Sequence, residues 1–131
     1  MSAPIIRVRD VMTKGILTVD GMTSVKEAAS MMRASRQAEL LVAKRSVDDA
    51  WGIVTYMDIV KGVMVPGRDA EGMLVYEIMT KPVITVPAQM DLRYAIRLID
   101  RIGVHRAPVE EQGEIVGMLT LTGLILDNDI L

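Results

Sequence analysis

The feature that most constrains this chain is that it repeats itself. Met12-Thr13-Lys14-Gly15-Ile16-Leu17-Thr18-Val19 recurs 67 residues later as Met79-Thr80-Lys81-Pro82-Val83-Ile84-Thr85-Val86. The same offset sets Val25, Ala28, Met31 and Met32 against Leu92, Ala95, Leu98 and Ile99. Further along, the offset falls to 65, so that Gly52-Ile53-Val54-Thr55 matches Gly117-Met118-Leu119-Thr120. The lost positions fall in Lys44-Arg45-Ser46-Val47-Asp48-Asp49, a polar stretch that reads as a hairpin loop. Length changes collect in such loops. Two copies at so long a period describe a duplicated domain, not a solenoid array.

Within each copy the periodicity changes in a fixed order. A short extended run (Ile16–Val19; Val83–Val86) leads into a helix. Its apolar face is Val25, Ala28, Ala29 and Met32 in the first copy, and Leu92, Ala95, Ile96 and Ile99 in the second. Thr23 or Ser24 caps the first helix, with Glu27 placed to reach back from its first turn, and Asp91 caps the second. Two strands follow: Glu39–Ala43 with Trp51–Thr55, then Arg106–Val109 with Glu114–Thr120. Gly113 supplies the positive φ that a tight hairpin turn requires. A last helix closes each copy, over Tyr56–Val63 and Leu121–Asp129. The expected fold class is therefore α/β (α+β), with the order β-α-β-β-α twice. Pro66-Gly67-Arg68-Asp69 breaks the chain between copies. The predicted organisation is repeat 1 over 8–66, a linker over 67–78 carrying a short helix (Glu71–Met79), and repeat 2 over 79–131.

Composition narrows the function classes. Half of the 131 residues are hydrophobic, enough for a buried interior and incompatible with general disorder. Phe is absent and there is one Trp, so the chain is poorly equipped to stack nucleic-acid bases. The net charge of −2 comes from interspersed acids and bases, with no basic stripe to attract DNA, RNA or an acidic membrane. The absence of Cys excludes disulfides, thiolate-bound zinc and thiol nucleophiles. With a single His, no Gly-x-Ser-x-Gly elbow and no Walker-type loop, nothing places a nucleophile beside a base. The expectation is a non-enzyme without metal or prosthetic group. Met1-Ser2-Ala3-Pro4 opens no secretory leader and no apolar run spans a bilayer, so a soluble, cytoplasmic protein is expected. The eleven Met residues read as flexible core filler.

From about Val8 to Leu126 the pattern resembles the tandem cystathionine β-synthase (CBS) domain family. The resemblance rests on Val11-Met12-Thr13, the Thr18-Val19 strand end and Gly52-Ile53-Val54-Thr55-Tyr56-Met57-Asp58. In the second copy it rests on His105-Arg106-Ala107-Pro108-Val109 and Gly117-Met118-Leu119-Thr120. No single piece is specific; two copies in this order are. The resemblance implies two repeats packed about a pseudo-two-fold axis, with two related clefts that take AMP, ADP, ATP or S-adenosylmethionine. It also implies dimerisation.

Carried onto this chain, the family pattern gives a first cleft built on Thr55 and Asp58. Thr55 stands at a strand-to-helix junction, where unpaired N–H groups and the helix dipole suit phosphate. Asp58 offers two acceptor oxygens to a ribose. Thr-x-x-Asp is also the pattern of a capping box, in which both side chains serve only the helix backbone. The resemblance implies that Ile53, Thr85 and Val104 line the base pocket while His105 and Arg106 approach phosphate, Arg106 by charge-assisted bonds. Taken alone, His105 reads as bonded to nearby backbone and Arg106 as a solvated charge. The second, weaker cleft would use Thr18, Ala38 and Thr120. It has Gly123 in place of the ribose Asp, and Ala38-Glu39 in place of His105-Arg106. One competent nucleotide site per chain is expected, with AMP as ligand ahead of ADP or ATP because one Arg-His pair matches a monophosphate. Alternatives are an S-adenosylmethionine sensor and a nucleic-acid-binding CBS module. Leu121–Leu131 is apolar on more than one face and predicts a homodimer interface. A stand-alone pair of this kind would signal to an effector protein whose identity the residues do not disclose.

Overall fold

The computed structural model describes residues 4–131 and contains the β-α-β-β-α order twice. Met1, Ser2 and Ala3, part of the leader reading above, lie outside the described residues. The first copy comprises α1 (Val8–Val11), β1 (Thr18–Val19), α2 (Val25–Ser35), β2 (Glu39–Val42), β3 (Gly52–Thr55) and α3 (Tyr56–Ile59). The helix α3 runs on as a π-helical turn over Val60–Met64. The second copy comprises β4 (Val86–Pro87), α4 (Leu92–Ile102), β5 (Arg106–Glu111), β6 (Glu114–Thr120) and α5 (Leu121–Leu126). In space the chain forms two bodies: Ile16–Val83, and Ile84–Leu131 together with the segment that ends at Gly15.

In the Ile16–Val83 body, β1 pairs parallel with β2, and β2 antiparallel with β3. A parallel neighbour needs a crossover, and α2 supplies it. Ser24 caps α2, its Oγ accepting the Glu27 amide at 3.1 Å. The buried face of α2 is Val25, Ala28 and Met32, at the expected helical spacing. Ala28 and Met32 pack with Val19, Leu40, Val42, Val54 and Val75 into one apolar cluster. Val25 joins Val63 and Met73 in a smaller one.

The other body repeats the plan with β4-β5-β6, and Asp91 caps α4 by accepting the Arg93 amide at 2.9 Å. Leu92, Ala95 and Ile99 of α4 pack on Val86, Val109 and Leu119. The hairpin between β5 and β6 turns at Gln112 (φ 52) and Gly113 (φ 82), the two positive φ values of a tight primed turn. Both long helices end in a left-handed residue at the same repeat position. It is Gly103 (φ 84) in α4 and Arg36 (φ 58) in α2.

Each body is completed by the Met-Thr segment that opens the other copy. Ile53 and Thr80 exchange two backbone hydrogen bonds of 2.9 Å; Thr13 and Met118 exchange the equivalent pair at 2.8 and 2.9 Å. Glycine is what lets these segments approach. A Cβ on Gly117 would lie 2.6 Å from Met12 Sδ and 2.9 Å from the Thr13 carbonyl oxygen. On Gly52 it would lie 3.2 Å from the Thr80 carbonyl oxygen.

Three expectations differ in detail. The predicted linker helix over Glu71–Met79 is a single 3-10 turn, Val75–Glu77. Backbone amides that an α-helix would use internally bond outward instead, Val75 to the Thr23 carbonyl (2.8 Å) and Tyr76 to the Gly21 carbonyl (2.9 Å). The strand β1 keeps two of the predicted four residues, and β4, Val86–Pro87, keeps only Val86 of Val83–Val86 and extends one residue beyond it. Finally, α5 stops at Leu126 and not Asp129; the Gly123 carbonyl accepts both the Asp127 amide at 3.0 Å and Asn128 Nδ2 at 2.9 Å, so the chain after Leu126 folds back on the helix end. Of the Met residues read as core filler, Met32, Met73 and Met118 are buried, whereas Met22 and Met64 are exposed.

Candidate functional site

Thr55 ends β3 and caps α3. Its Oγ1 accepts the Asp58 amide at 3.2 Å, and Asp58 Oδ2 accepts the Thr55 amide at 2.8 Å. This is a complete capping box. The junction is tied to the neighbouring strand through the Tyr56 amide, which donates to the Ala38 carbonyl at 2.9 Å. Ile53, two residues before Thr55, is buried in β3 opposite Leu41. The capping role and a ligand role do not exclude each other. A carboxylate has about four lone-pair positions, and the box draws on one oxygen. Asp58 is half-buried and lines a cavity of about 290 Å³ with Lys61, Arg68 and Glu77.

Lys61 and Arg68 are cations that sequence reasoning passed over. Lys61 follows Asp58 by three residues, a spacing that puts both on one helix face and was readable. Arg68 arrives only through the chain reversal after the π-helical turn, where its amide donates to the Val63 carbonyl at 2.8 Å. No spacing rule announces that.

The remaining first-cleft residues belong to the other body. Thr85 precedes β4, and its Oγ1 donates to Glu110 Oε2 at 3.2 Å. Val104 is 37% exposed and His105 is exposed. Arg106 opens β5, half-buried, opposite Thr120 in the ladder. The Leu121 amide donates to the His105 carbonyl at 3.0 Å, the counterpart of the Tyr56–Ala38 bond.

The residues assigned to the weaker cleft have different surroundings. Thr120 caps α5 by accepting the Gly123 amide at 3.1 Å, with no carboxylate to return the bond. A Cβ on Gly123 would stand 2.6 Å from Thr120 Oγ1. The position equivalent to Asp58 thus carries no carboxylate of its own, and Asp127 Oδ2 comes within 3.4 Å of where its Cβ would stand. Thr18 and Ala38 are exposed, and Glu39, the counterpart of Arg106, is buried.

Among the described residues no group of three or more His, Asp or Glu side chains is placed to hold a metal ion, and no helix is long and apolar enough to cross a membrane.

Two three-stranded sheets, each with a crossover helix and a capped strand-to-helix junction, define a duplicated α/β module. The chain belongs to the CBS domain family, whose pattern matches residues 8–65 and 75–127. CBS domain pairs are regulatory ligand-binding modules. An uncharacterized protein of Methanopyrus kandleri is 26% identical over 121 residues; the match covers 92% of this chain and 61% of that protein. The chain also matches homoserine O-acetyltransferase of Methanocorpusculum labreanum at 33% identity, over 91% of this chain but only 23% of that enzyme. Among solved structures, the hexameric CBS-CP12 protein from bloom-forming cyanobacteria is similar with a TM-score of 0.91 and 31% identity. That likeness covers 95% of this chain and 72% of the other. A CBS domain pair in complex with 5′-methylthioadenosine and S-adenosyl-L-methionine has a TM-score of 0.78 at 24% identity, over 92% of this chain and 94% of the other.

Proposed function

We propose that this chain binds an adenine nucleotide, AMP ahead of ADP or ATP, with Asp58 as the ribose acceptor and His105 and Arg106 as phosphate donors. Ile53, Thr85 and Val104 would receive the base, and Thr55 would add its hydroxyl at the helix start. The observation that carries this reading is the difference between the two strand-to-helix junctions. Asp58 keeps one carboxylate oxygen outside its capping box, whereas Gly123 has no side chain of its own and the carboxylate near it, that of Asp127, comes from the end of α5 and not from a capping box. The prediction is one site per chain, read as stoichiometry by titration calorimetry with AMP. Two equal sites per chain, or no heat with any adenosine ligand, would refute it. S-adenosylmethionine is the second reading, since its ribose suits Asp58 equally and the CBS pair named above holds it. Ligand at a hundredfold over its dissociation constant stabilises the folded chain by roughly 2.7 kcal/mol, which a thermal-shift panel detects.

Regulation requires that the ligand favour one arrangement of the protein over another, which an effector protein then reads. We further propose a homodimer through α5, on which Ile125 and Leu126 are 61% and 79% exposed. Apolar side chains so uncovered on one short helix are costly in water and fit a symmetric contact.

A further inference from the structure

The Ile16–Val83 body holds a second cavity, larger than the one beside Asp58 and at the other end of the sheet. The β2–β3 ladder runs from Glu39–Thr55, next to Asp58, to Val42–Gly52. The second cavity opens past Val42 and has a volume of about 600 Å³. That size is ordinary for a small-molecule site, about 300–1,000 Å³. Its apolar wall is Met22, Val42, Tyr76 and Met79; Lys44, Arg45 and Lys81 bring positive charge to the same space.

These cations are held in place by separate contacts. Asp49, at the foot of the hairpin, accepts from Lys81 Nζ at 2.6 Å and from Arg45 Nε at 3.2 Å. The bond from Lys81, then that from the Arg45 amide, keeps the Asp49 carboxyl well below the usual carboxylate range. Lys44 Nζ lies 5.6 Å from the centroid of the Trp51 ring. The one carboxylate in the cavity lining, Asp20, is engaged locally, accepting the Met22 amide at 2.7 Å. Three cations therefore face two carboxylates, and the guanidinium of Arg45 bonds Asp49 through Nε alone.

The duplication supplies an internal control. In the other body the positions of Lys44, Met22 and Tyr76 are taken by Glu111, Gln89 and Arg9. There Arg9 pairs with Glu111 at 3.7 Å, and Gln89 Nε2 donates to Glu111 Oε1 at 3.5 Å. The polar side chains satisfy one another. The apolar wall with a basic rim belongs to the Ile16–Val83 body.

We propose that this cavity binds a small organic anion, an apolar ring or chain carrying a single carboxylate or phosphate. The apolar part would lie against Tyr76, Met22 and Met79, and the anionic group would be met by Lys44 and Arg45 through charge-assisted hydrogen bonds. The site is separate from the proposed nucleotide site and does not depend on it.

Phenyl phosphate, benzoate and neutral benzyl alcohol serve as probes. Binding is read from the methyl resonances of Met22 and Met79 and from the fluorescence of Trp51, the chain's one Trp. The expected result is saturable binding of at least one anion, with benzyl alcohol weaker by about tenfold or more. The double variant Lys44→Gln, Arg45→Gln should weaken the anion by at least a similar factor. Both side chains are exposed, so a thermal melt should show the variant folded. Asp58→Ala should leave this binding intact even if it abolishes that of AMP. The proposal is overturned if neither anion saturates at millimolar concentration or if benzyl alcohol binds as well. It is equally overturned if the double variant binds normally, or if Asp58→Ala removes the response.

Discussion

At the scale of single residues, Asp58 has two duties that mutation can separate. Glu is the usual partner of Thr in a capping box, so Asp58→Glu preserves the reciprocal bond to the Thr55 amide while moving the outer oxygen. The expected outcome is near-normal thermal stability with AMP affinity reduced about tenfold, the effect of losing one charge-assisted hydrogen bond. Asp58→Ala should lose about 1 kcal/mol of stability as well. A melt and a titration on both variants check this; Asp58→Glu with unchanged affinity would leave Asp58 as a cap alone. Arg36 offers a second test. It holds the left-handed position that Gly103 occupies in the other copy, a conformation that costs a side-chain-bearing residue about 1–2 kcal/mol. Part of that is offset by the greater freedom of Gly in the unfolded chain. Arg36→Gly should therefore raise stability modestly, by about 0.5–1 kcal/mol, measured by urea unfolding.

At the scale of elements, legibility followed the range of the determining contacts. The helices α2 and α4 were readable because cap and apolar stripe lie within one short stretch; Ser24 and the triplet Val25-Ala28-Met32 are in place, while the left-handed stop at Arg36 carries no sequence signal of the usual Gly kind. The 3-10 turn at Val75–Glu77 was not, because the acceptors of its amides are Gly21 and Thr23, some 50 residues earlier. The same distinction holds at the candidate site. The Thr55–Asp58 box is local and was visible, whereas Arg68 reaches the Asp58 cavity only by a bend of the chain. The glycines of the third strand in each sheet were matched as repeat markers without their purpose. Their purpose is the close passage of the Met-Thr segments. It is tighter at Gly117, where a backbone oxygen would stand 2.9 Å from an added Cβ, than at Gly52, where the distance would be 3.2 Å. Gly117→Ala should accordingly destabilise by about 1–3 kcal/mol in urea, and Gly52→Ala by less. Equal effects would show that the segments yield freely.

At the scale of the whole molecule, the duplication was legible because the Met-Thr openings, the apolar spacing and the third-strand Gly and Thr recur in both copies. The proposed sites lie where the copies have diverged. Asp58 faces Gly123, Arg106 faces Glu39, and Lys44 faces Glu111 across the repeat. Each pair reverses or removes a charge, so two similar folds present different chemistry. The proposed dimer rests on uncovered apolar surface: with about 100° between successive residues of α5, Ile125 and Leu126 point away from the buried Leu124. Light scattering at micromolar concentration should give twice the mass of a 14.4 kDa chain, and Leu126→Glu should return it to the monomer. A monomeric mass for the unaltered protein would dismiss the α5 contact.

The exchange of Met-Thr segments means that the stretch which was duplicated and the stretch which folds as one body are out of step. Severing the chain at the repeat boundary would strip Thr80 from Ile53 and Thr13 from Met118, leaving both third strands with an open margin. A fragment of residues 16–83 keeps every backbone bond of its own sheet, so it is the piece expected to survive excision. An ancestor with a single copy could have made these same pairings only by taking the missing segment from a sister molecule.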